Sequence, residues 1–250
     1  MTGAFVDTHC HLDQYDDPLR VLRDAQAADV VVVAVTEAPS AFQRLALRLG
    51  RRAGVRVALG FHPLRVAAAS PLELALFTRL LDRVDYVGEV GLDGSREGMP
   101  TLRAQVKLFE HLLSQPRLKS KVLTVHSRGA EDETIRLLAE AHVTAILHWY
   151  SGALRHIDTA IAAGLWFSVN HAMLRSQNGQ RIVAALPRER VVTETDGPYA
   201  KSGGHPSEPK LIPAVVAGLA RVWGEDTDQA RRRVFDNMTA IAETARNAKP

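Results

Sequence analysis

The segment Phe5-Val6-Asp7-Thr8-His9-Cys10-His11 sets two imidazoles one residue apart at the end of an apolar run. On a β-strand alternate side chains share a face, so His9 and His11 point together and can grip one cation. Two histidines leave a metal site incomplete. Four more residues of ligating type close other β-branched segments: Glu89, His126, His148 and Asp196. Imidazole with carboxylate suits Zn²⁺, Mn²⁺, Fe²⁺, Co²⁺ or Ni²⁺, whereas a pure Mg²⁺ or Ca²⁺ site prefers oxygen. Six ligands exceed one tetrahedral centre and fit two neighbouring ions that share a carboxylate.

Each residue alone has a plainer use, since a strand-end histidine can cap a helix or bond a backbone carbonyl. It is their joint placement at strand ends that points to a metal centre. Around them stand weaker candidates. His62 is either a phosphate or outer contact or a turn residue before Pro63, and Arg128 is either a phosphate ligand or a solvated side chain. Asn170 and His171 are candidates for substrate contact or for structure. Asp93 is placed to orient a ligand histidine. Glu194 shares the face of Asp196 one layer deeper and reads as structural, and Cys10 alternates away from its histidine neighbours into packing.

Eight elements must carry these residues. Apolar segments run Phe5 to His9, Val30 to Val35, Val55 to Phe61, Tyr86 to Gly91, Val122 to His126, Thr144 to His148, Leu165 to Asn170 and Val191 to Asp196. Their polar ends, His9, Thr36, His62, Glu89, His126, His148, Asn170 and Asp196, recur every 22 to 37 residues, room for a strand, a helix and two loops. Helical patterns fill the gaps at Pro18–Ala28, Ala41–Arg52, Pro71–Leu81, Thr101–Leu113, Glu131–Ala141, Leu154–Ala163 and Ser176–Ala185. Such alternation implies parallel strands with right-handed crossovers, and eight units predict an α/β fold of the (β/α)₈ TIM-barrel type, with a doubly wound open sheet as the alternative. Residues 197–209 read as a long Gly- and Pro-punctuated loop, and two last helices run Leu211–Trp223 and Thr227–Arg246.

The 250 residues suit one barrel domain spanning 1–250, and no linker divides them. A hydrophobic fraction of 46% with 24% charged residues excludes disordered and fibrous classes. One cysteine excludes an internal disulfide framework and suits a reducing, cytoplasmic compartment. The first residues show neither a basic n-region nor a long apolar run, so no signal peptide is expected, and Val30–Val35 is too short for a membrane span. The net charge of +3 weakly favours a polyanionic partner, although Arg51-Arg52 and Arg231-Arg232-Arg233 read as solvated helix faces.

The motifs Val6-Asp7-Thr8-His9-Cys10-His11-Leu12-Asp13, Gly60-Phe61-His62-Pro63, Gly88-Glu89-Val90-Gly91-Leu92-Asp93, His126-Ser127-Arg128, His148-Trp149-Tyr150-Ser151-Gly152 and Glu194-Thr195-Asp196-Gly197-Pro198-Tyr199 together resemble the TatD family of metal-dependent deoxyribonucleases, in the amidohydrolase-like superfamily. The resemblance covers about residues 5 to 245. It implies a metal-dependent DNase of 3′-to-5′ exonuclease character using two divalent ions, with Mg²⁺, Mn²⁺ and Zn²⁺ as candidates. His9, His11 and Asp196 would hold one ion, His126 and His148 the other, with Glu89 bridging and Asp196 taking the proton of the attacking water. Lys201 and His205 remain as phosphate candidates in the loop before Glu208-Pro209, where the usual Arg/Lys-rich approach is missing. Asp93 is followed by Gly94-Ser95-Arg96-Glu97-Gly98 in place of the aromatic residues frequent in the family, so the loop beside the metals is altered.

The chain also looks like the TatD-type nuclease subunits of bacterial anti-phage systems of the Qat kind, through its compactness and the Val33-Ala34-Val35-Thr36 strand ending. That likeness implies DNA, other subunits of a defence complex and no membrane as its partners. Two rival functions use the same residues: a cyclic amidohydrolase or lactonase of small molecules, and a scaffold subunit of a nucleic-acid complex. A carboxylated lysine is common at the end of strand four in the first rival's branch, where this chain has Glu89. The second has no need of six clustered polar groups.

Overall fold

The computed structural model describes residues 3–248. Eight parallel strands alternate with helices, as a (β/α)₈ barrel requires. The strands are β1 (Phe5–Cys10), β2 (Val30–Ala34), β3 (Val55–Val57), β4 (Tyr86–Gly91), β5 (Val122–His126), β6 (Thr144–Leu147), β7 (Trp166–Val169) and β8 (Val191–Thr193). Ladders join β1 to β3 and β4 to β8 in chain order. The first seam closes where Leu59 pairs with Val87. The second closes through side chains and strand ends: Thr8 Oγ1 donates to Thr193 O at 3.0 Å, and the Asp196 amide donates to His9 O at 2.8 Å.

Sequence explains the helix starts. In α1 (Pro18–Ala27) proline takes the first turn, where its missing N–H is harmless, and Asp17 accepts from the Arg20 amide at 3.0 Å. Helix α3 (Pro71–Leu80) repeats the device with Ser70. The other barrel helices are α2 (Pro39–Leu49), α4 (Leu102–Leu113), α5 (Glu131–Ala141), α6 (Arg155–Ala162), α7 (His171–Arg175) and α8 (Gln177–Ala185). Two more, α9 (Ile212–Trp223) and α10 (Thr227–Asn247), end the chain, and α10 opens with a capping box between Asp226 and Gln229. Its Met238, Ile241 and Ala245 pack on Val6, Val122, Ile146 and Val192, closing the end of the barrel remote from the strand C-termini.

Three local expectations fail. Strand three stops at Val57 rather than Phe61, because beyond it the chain must pass between two neighbours. At Gly60 a Cβ would lie 1.5 Å from Thr36 O and 2.7 Å from the Glu89 amide, which itself donates to Thr36 O at 3.0 Å. Only glycine fits that crossing. Second, the loop at 197–209 contains a small hairpin, β9 (Lys201–Ser202) with β10 (His205–Pro206), turned by Gly203 and Gly204 at positive φ. Third, strand seven runs directly into α7, capped by Asn170, whose Oδ1 accepts from the Met173 amide at 3.0 Å.

Among the described residues no helix is long and apolar enough to cross a membrane.

Candidate metal centre

At the C-terminal end of the strands the barrel interior turns polar. His9 from β1, Thr124 from β5, Ser168 from β7 and Glu194 beyond β8 are all buried. Thr124 Oγ1 lies 2.6 Å from His9 Nδ1, so a neutral His9 keeps its proton there and turns the Nε2 lone pair into the site. Burial first, and the neighbouring His148 second, push its pKa down to about 3, which leaves the imidazole free to ligate.

Glu89 is the centre of the arrangement. Its Oε1 lies 2.7 Å from His126 Nδ1, 2.9 Å from His148 Nε2 and 3.3 Å from His62 Nε2. Its Oε2 lies 3.1 Å from His11 Nε2 and 3.5 Å from His9 Nε2. Burial opposes its charge, but the surrounding histidines, His62 and His148 first, hold its pKa well below the carboxylate range. Asp196 completes the side facing β1, with Oδ1 3.5 Å from His11 and 3.6 Å from His9. Two carboxylates thus sit among five histidines with both oxygens of Glu89 engaged. His9, His11 and Asp196 bring one ligand atom each within 4.8 Å of one another, as do His9, Glu89 and His148, and His62, Glu89 and His126.

A divalent cation fits this donor set. Without one, the carboxylates draw protons onto the rings. Burial works against charge on His11, yet Asp196 and Glu89 raise it to about 10, and on His126 Asp93 and Glu89 overcome burial and raise it to about 9. His11 Nδ1 and His148 Nδ1 are buried with no hydrogen-bond partner among the described residues. Buried imidazole nitrogens need a hydrogen-bond partner, a paired charge or a cation.

The six expected ligands therefore converge. His62 joins them, in a double role. Its Nδ1 accepts from the Leu64 amide at 3.1 Å, placing the ring proton on Nε2, which donates to Glu89. In this arrangement it orients the carboxylate while capping the turn before Leu64. Asp93 Oδ2 lies 2.8 Å from His126 Nε2, and its own amide is tied to Gln105 at 2.7 Å. Glu194, pushed up to about 7 chiefly by burial, accepts from the Trp149 amide, Ser168 and Asn170.

A cavity of about 770 Å³ opens over the centre. Arg128 and His62 line it. Asn170, Lys201 and His205 do not: Asn170 is fully buried with its amide spent on Glu194 and α7, while Lys201 and His205 are exposed on the hairpin. Of the two uses open to Asn170, substrate contact or structure, it takes the second, because its strand ends at Val169 and the next residue caps α7. The sequence reading missed Glu37, Arg65, Trp149 and Tyr199 on the cavity wall. Glu37, Arg65, Trp149 and Tyr199 each stand one to three residues beyond a strand-end residue, a signal that could have found them.

The profile described as TatD related DNase matches residues 6–242. The chain is 33% identical to the human deoxyribonuclease TATDN3 over 78% of both chains. It is 26% identical to an uncharacterized metal-dependent hydrolase of Methanocaldococcus jannaschii over 93% of this chain and 94% of the other. The crystal structure of YjjV, a TatD homolog from Escherichia coli, superposes with a TM-score of 0.87 at 25% identity, covering 96% of this chain and 98% of that one. By its matching profile, its relatives and its barrel fold, the chain belongs to the TatD-related DNase family.

Proposed function

We propose that the protein is a metal-dependent deoxyribonuclease that hydrolyses phosphodiester bonds, working from the 3′ end with two divalent ions. One observation carries this reading: Glu89 presents a different oxygen to each half of a histidine cluster, so this one carboxylate would serve both ions. Relatives named deoxyribonuclease support the substrate class. A divalent ion bound there supplies positive charge to the phosphate oxygens and water of lowered pKa.

The chain's own groups supply the rest. His9, His11 and Asp196 would hold one ion, His126 and His148 the other, and Glu89 both. Asp196, kept ionised chiefly by His11 against the effect of burial, accepts the proton of the attacking water. His62 and Asp93 hold Glu89 and His126 in position. Arg128, on the cavity wall, is placed to neutralise a phosphate. DNA and further subunits of a defence assembly are the partners in this reading, the latter on the strand-two ending and compactness described above.

The test is end-labelled single- and double-stranded DNA and RNA incubated with the protein under Mg²⁺, Mn²⁺ or Zn²⁺. Stepwise release from the 3′ end of DNA, abolished in Asp196→Asn, is expected. A protein that binds no metal, or an Asp196→Asn variant as active as the wild type, would overturn the reading.

A further inference from the structure

A ligating imidazole needs a partner for its second nitrogen, since an unpaired N–H inside the protein costs free energy and leaves the ring free to turn. At His9 that nitrogen is Nδ1, 2.6 Å from Thr124, and at His126 it is Nε2, 2.8 Å from Asp93. His148 turns Nε2 inward, 2.9 Å from Glu89 Oε1. Its Nδ1 is buried and has no hydrogen-bond partner among the described residues. The carboxylate that faces it is Glu194, with Oε2 3.7 Å away.

Glu194 also holds the backbone beside His148. The amide of Trp149 donates to Glu194 Oε1 at 2.9 Å, and Trp149 has φ of +38°, a left-handed conformation that bulky residues rarely adopt. The chain thus turns sharply just after the ligand, and this carboxylate pins the turn. Asn170 Nδ2 donates to the same oxygen at 2.9 Å, and the Ser168 hydroxyl donates to Oε2.

Those three bonds do not call for a charge. The exchange Glu194→Gln would preserve them, its carbonyl accepting from Trp149 and Asn170 while its amide donates to the Ser168 hydroxyl. A carboxylate buried as completely as Glu194 is costly, and no lysine or arginine pairs with it among the described residues. What an amide in its place cannot do is offer a second acceptor to His148 Nδ1.

A histidine that gives Nε2 to a cation carries its proton on Nδ1, and at His148 that proton points towards Glu194. We propose that Glu194 is a positioning residue of the metal centre: its Oε2 accepts the Nδ1 proton of ligated His148 while its Oε1 pins the Trp149 amide, so one carboxylate fixes both the ring and the backbone of that ligand. Closing the 3.7 Å gap to hydrogen-bonding distance takes about 0.8 Å, a small torsion of either side chain. The inference rests on the metal-binding part of the reading above and is independent of substrate.

Zn²⁺ affinity, read by competition with a chromophoric chelator, should fall about 10- to 100-fold in Glu194→Gln. Ser168→Ala removes a bond to Glu194 but keeps the carboxylate, so it should lose far less. The imidazole proton separates positioning from mere structure. With histidine labelled for nitrogen NMR, the Nδ1 proton of His148 in the Zn²⁺-loaded protein, assigned by its loss in His148→Gln, should exchange slowly with water in wild type and Ser168→Ala. In Glu194→Gln it should be lost to fast exchange while the His9 proton held by Thr124 persists. Circular dichroism verifies folding, and if Glu194→Gln does not fold the wild-type spectrum still decides. An Nδ1 proton unprotected in wild type, or one unchanged in Glu194→Gln, would overturn the proposal and leave the metal centre standing. Failure of the wild type to bind Zn²⁺ would sink both.

Discussion

Asp93 does not face the centre of the cluster, yet it holds the far nitrogen of His126 at 2.8 Å. Such outer partners fix ring orientation and basicity, so Asp93→Ala should lower metal affinity or activity by about 10- to 100-fold. Metal titration with a chromophoric competitor checks it, and Glu89→Gln should lose more, because both halves of the cluster depend on that carboxylate. A second prediction concerns protons. In the metal-free protein His11 and His126 titrate near 10 and 9, so both hold a proton at neutral pH that a cation must displace. Metal uptake at pH 7 should release protons, and affinity should fall as pH is lowered; calorimetry in two buffers of different ionisation enthalpy reads both. The same shifts act on stability without metal. With folded values above the ordinary 6.5, His11 and His126 stabilise fully below pH 6.5 and lose that contribution as pH rises through about 9 to 10. His9, with a folded value near 3, has the opposite sign, stabilising above 6.5 and less as pH falls towards 3.

The elements place these residues through close backbone crossings. Gly60 passes between Thr36 and Glu89, so Gly60→Ala forces apart the strand ends that carry Glu89. It should destabilise the protein by about 3 kcal/mol, at the upper end for overpacking, and disturb metal binding as well. Gly164 is the control. It has positive φ, unlike Gly60, but nothing lies near its absent Cβ, so Gly164→Ala should cost only about 1–2 kcal/mol and leave metal binding unchanged. Urea denaturation with metal titration separates the two. At this scale regular elements were legible in the sequence, because period and caps are local: Glu131–Ala141 matches its expected helix at both ends. The β9–β10 hairpin and the short α7 were not, since two- and five-residue elements carry too little periodicity to register.

For the whole molecule, the cluster implies that folding and metal binding are linked. A cation that binds only the folded barrel, at 100 times its Kd, should add about 2.7 kcal/mol of stability. In a chain of this size that corresponds to a rise in Tm of about 5 to 11 °C, reversed by a chelator and weakened in Glu89→Gln. Scanning calorimetry with and without metal measures it. No shift for wild type would mean that the histidine cluster is satisfied by protons alone.

By itself the sequence determined the barrel and the six residues of ligating type that converge at its end. Both follow from local repetition: an apolar strand that ends in a polar residue, recurring with room for a helix, has one economical closure, and that closure puts every strand end on one face. It also carried the family, through six motifs in order. The tertiary structure decided what depends on distance between loops. Asn170 became a helix cap rather than a cavity residue, His62 became the support of Glu89, and Lys201 with His205 turned outward on a hairpin. The same holds for the Glu37–Arg65–Tyr199 contacts, whose members lie far apart in the chain and whose bonds no periodicity encodes. Side-chain alternation sets which face a residue occupies, but only the packed barrel sets which partner it meets there.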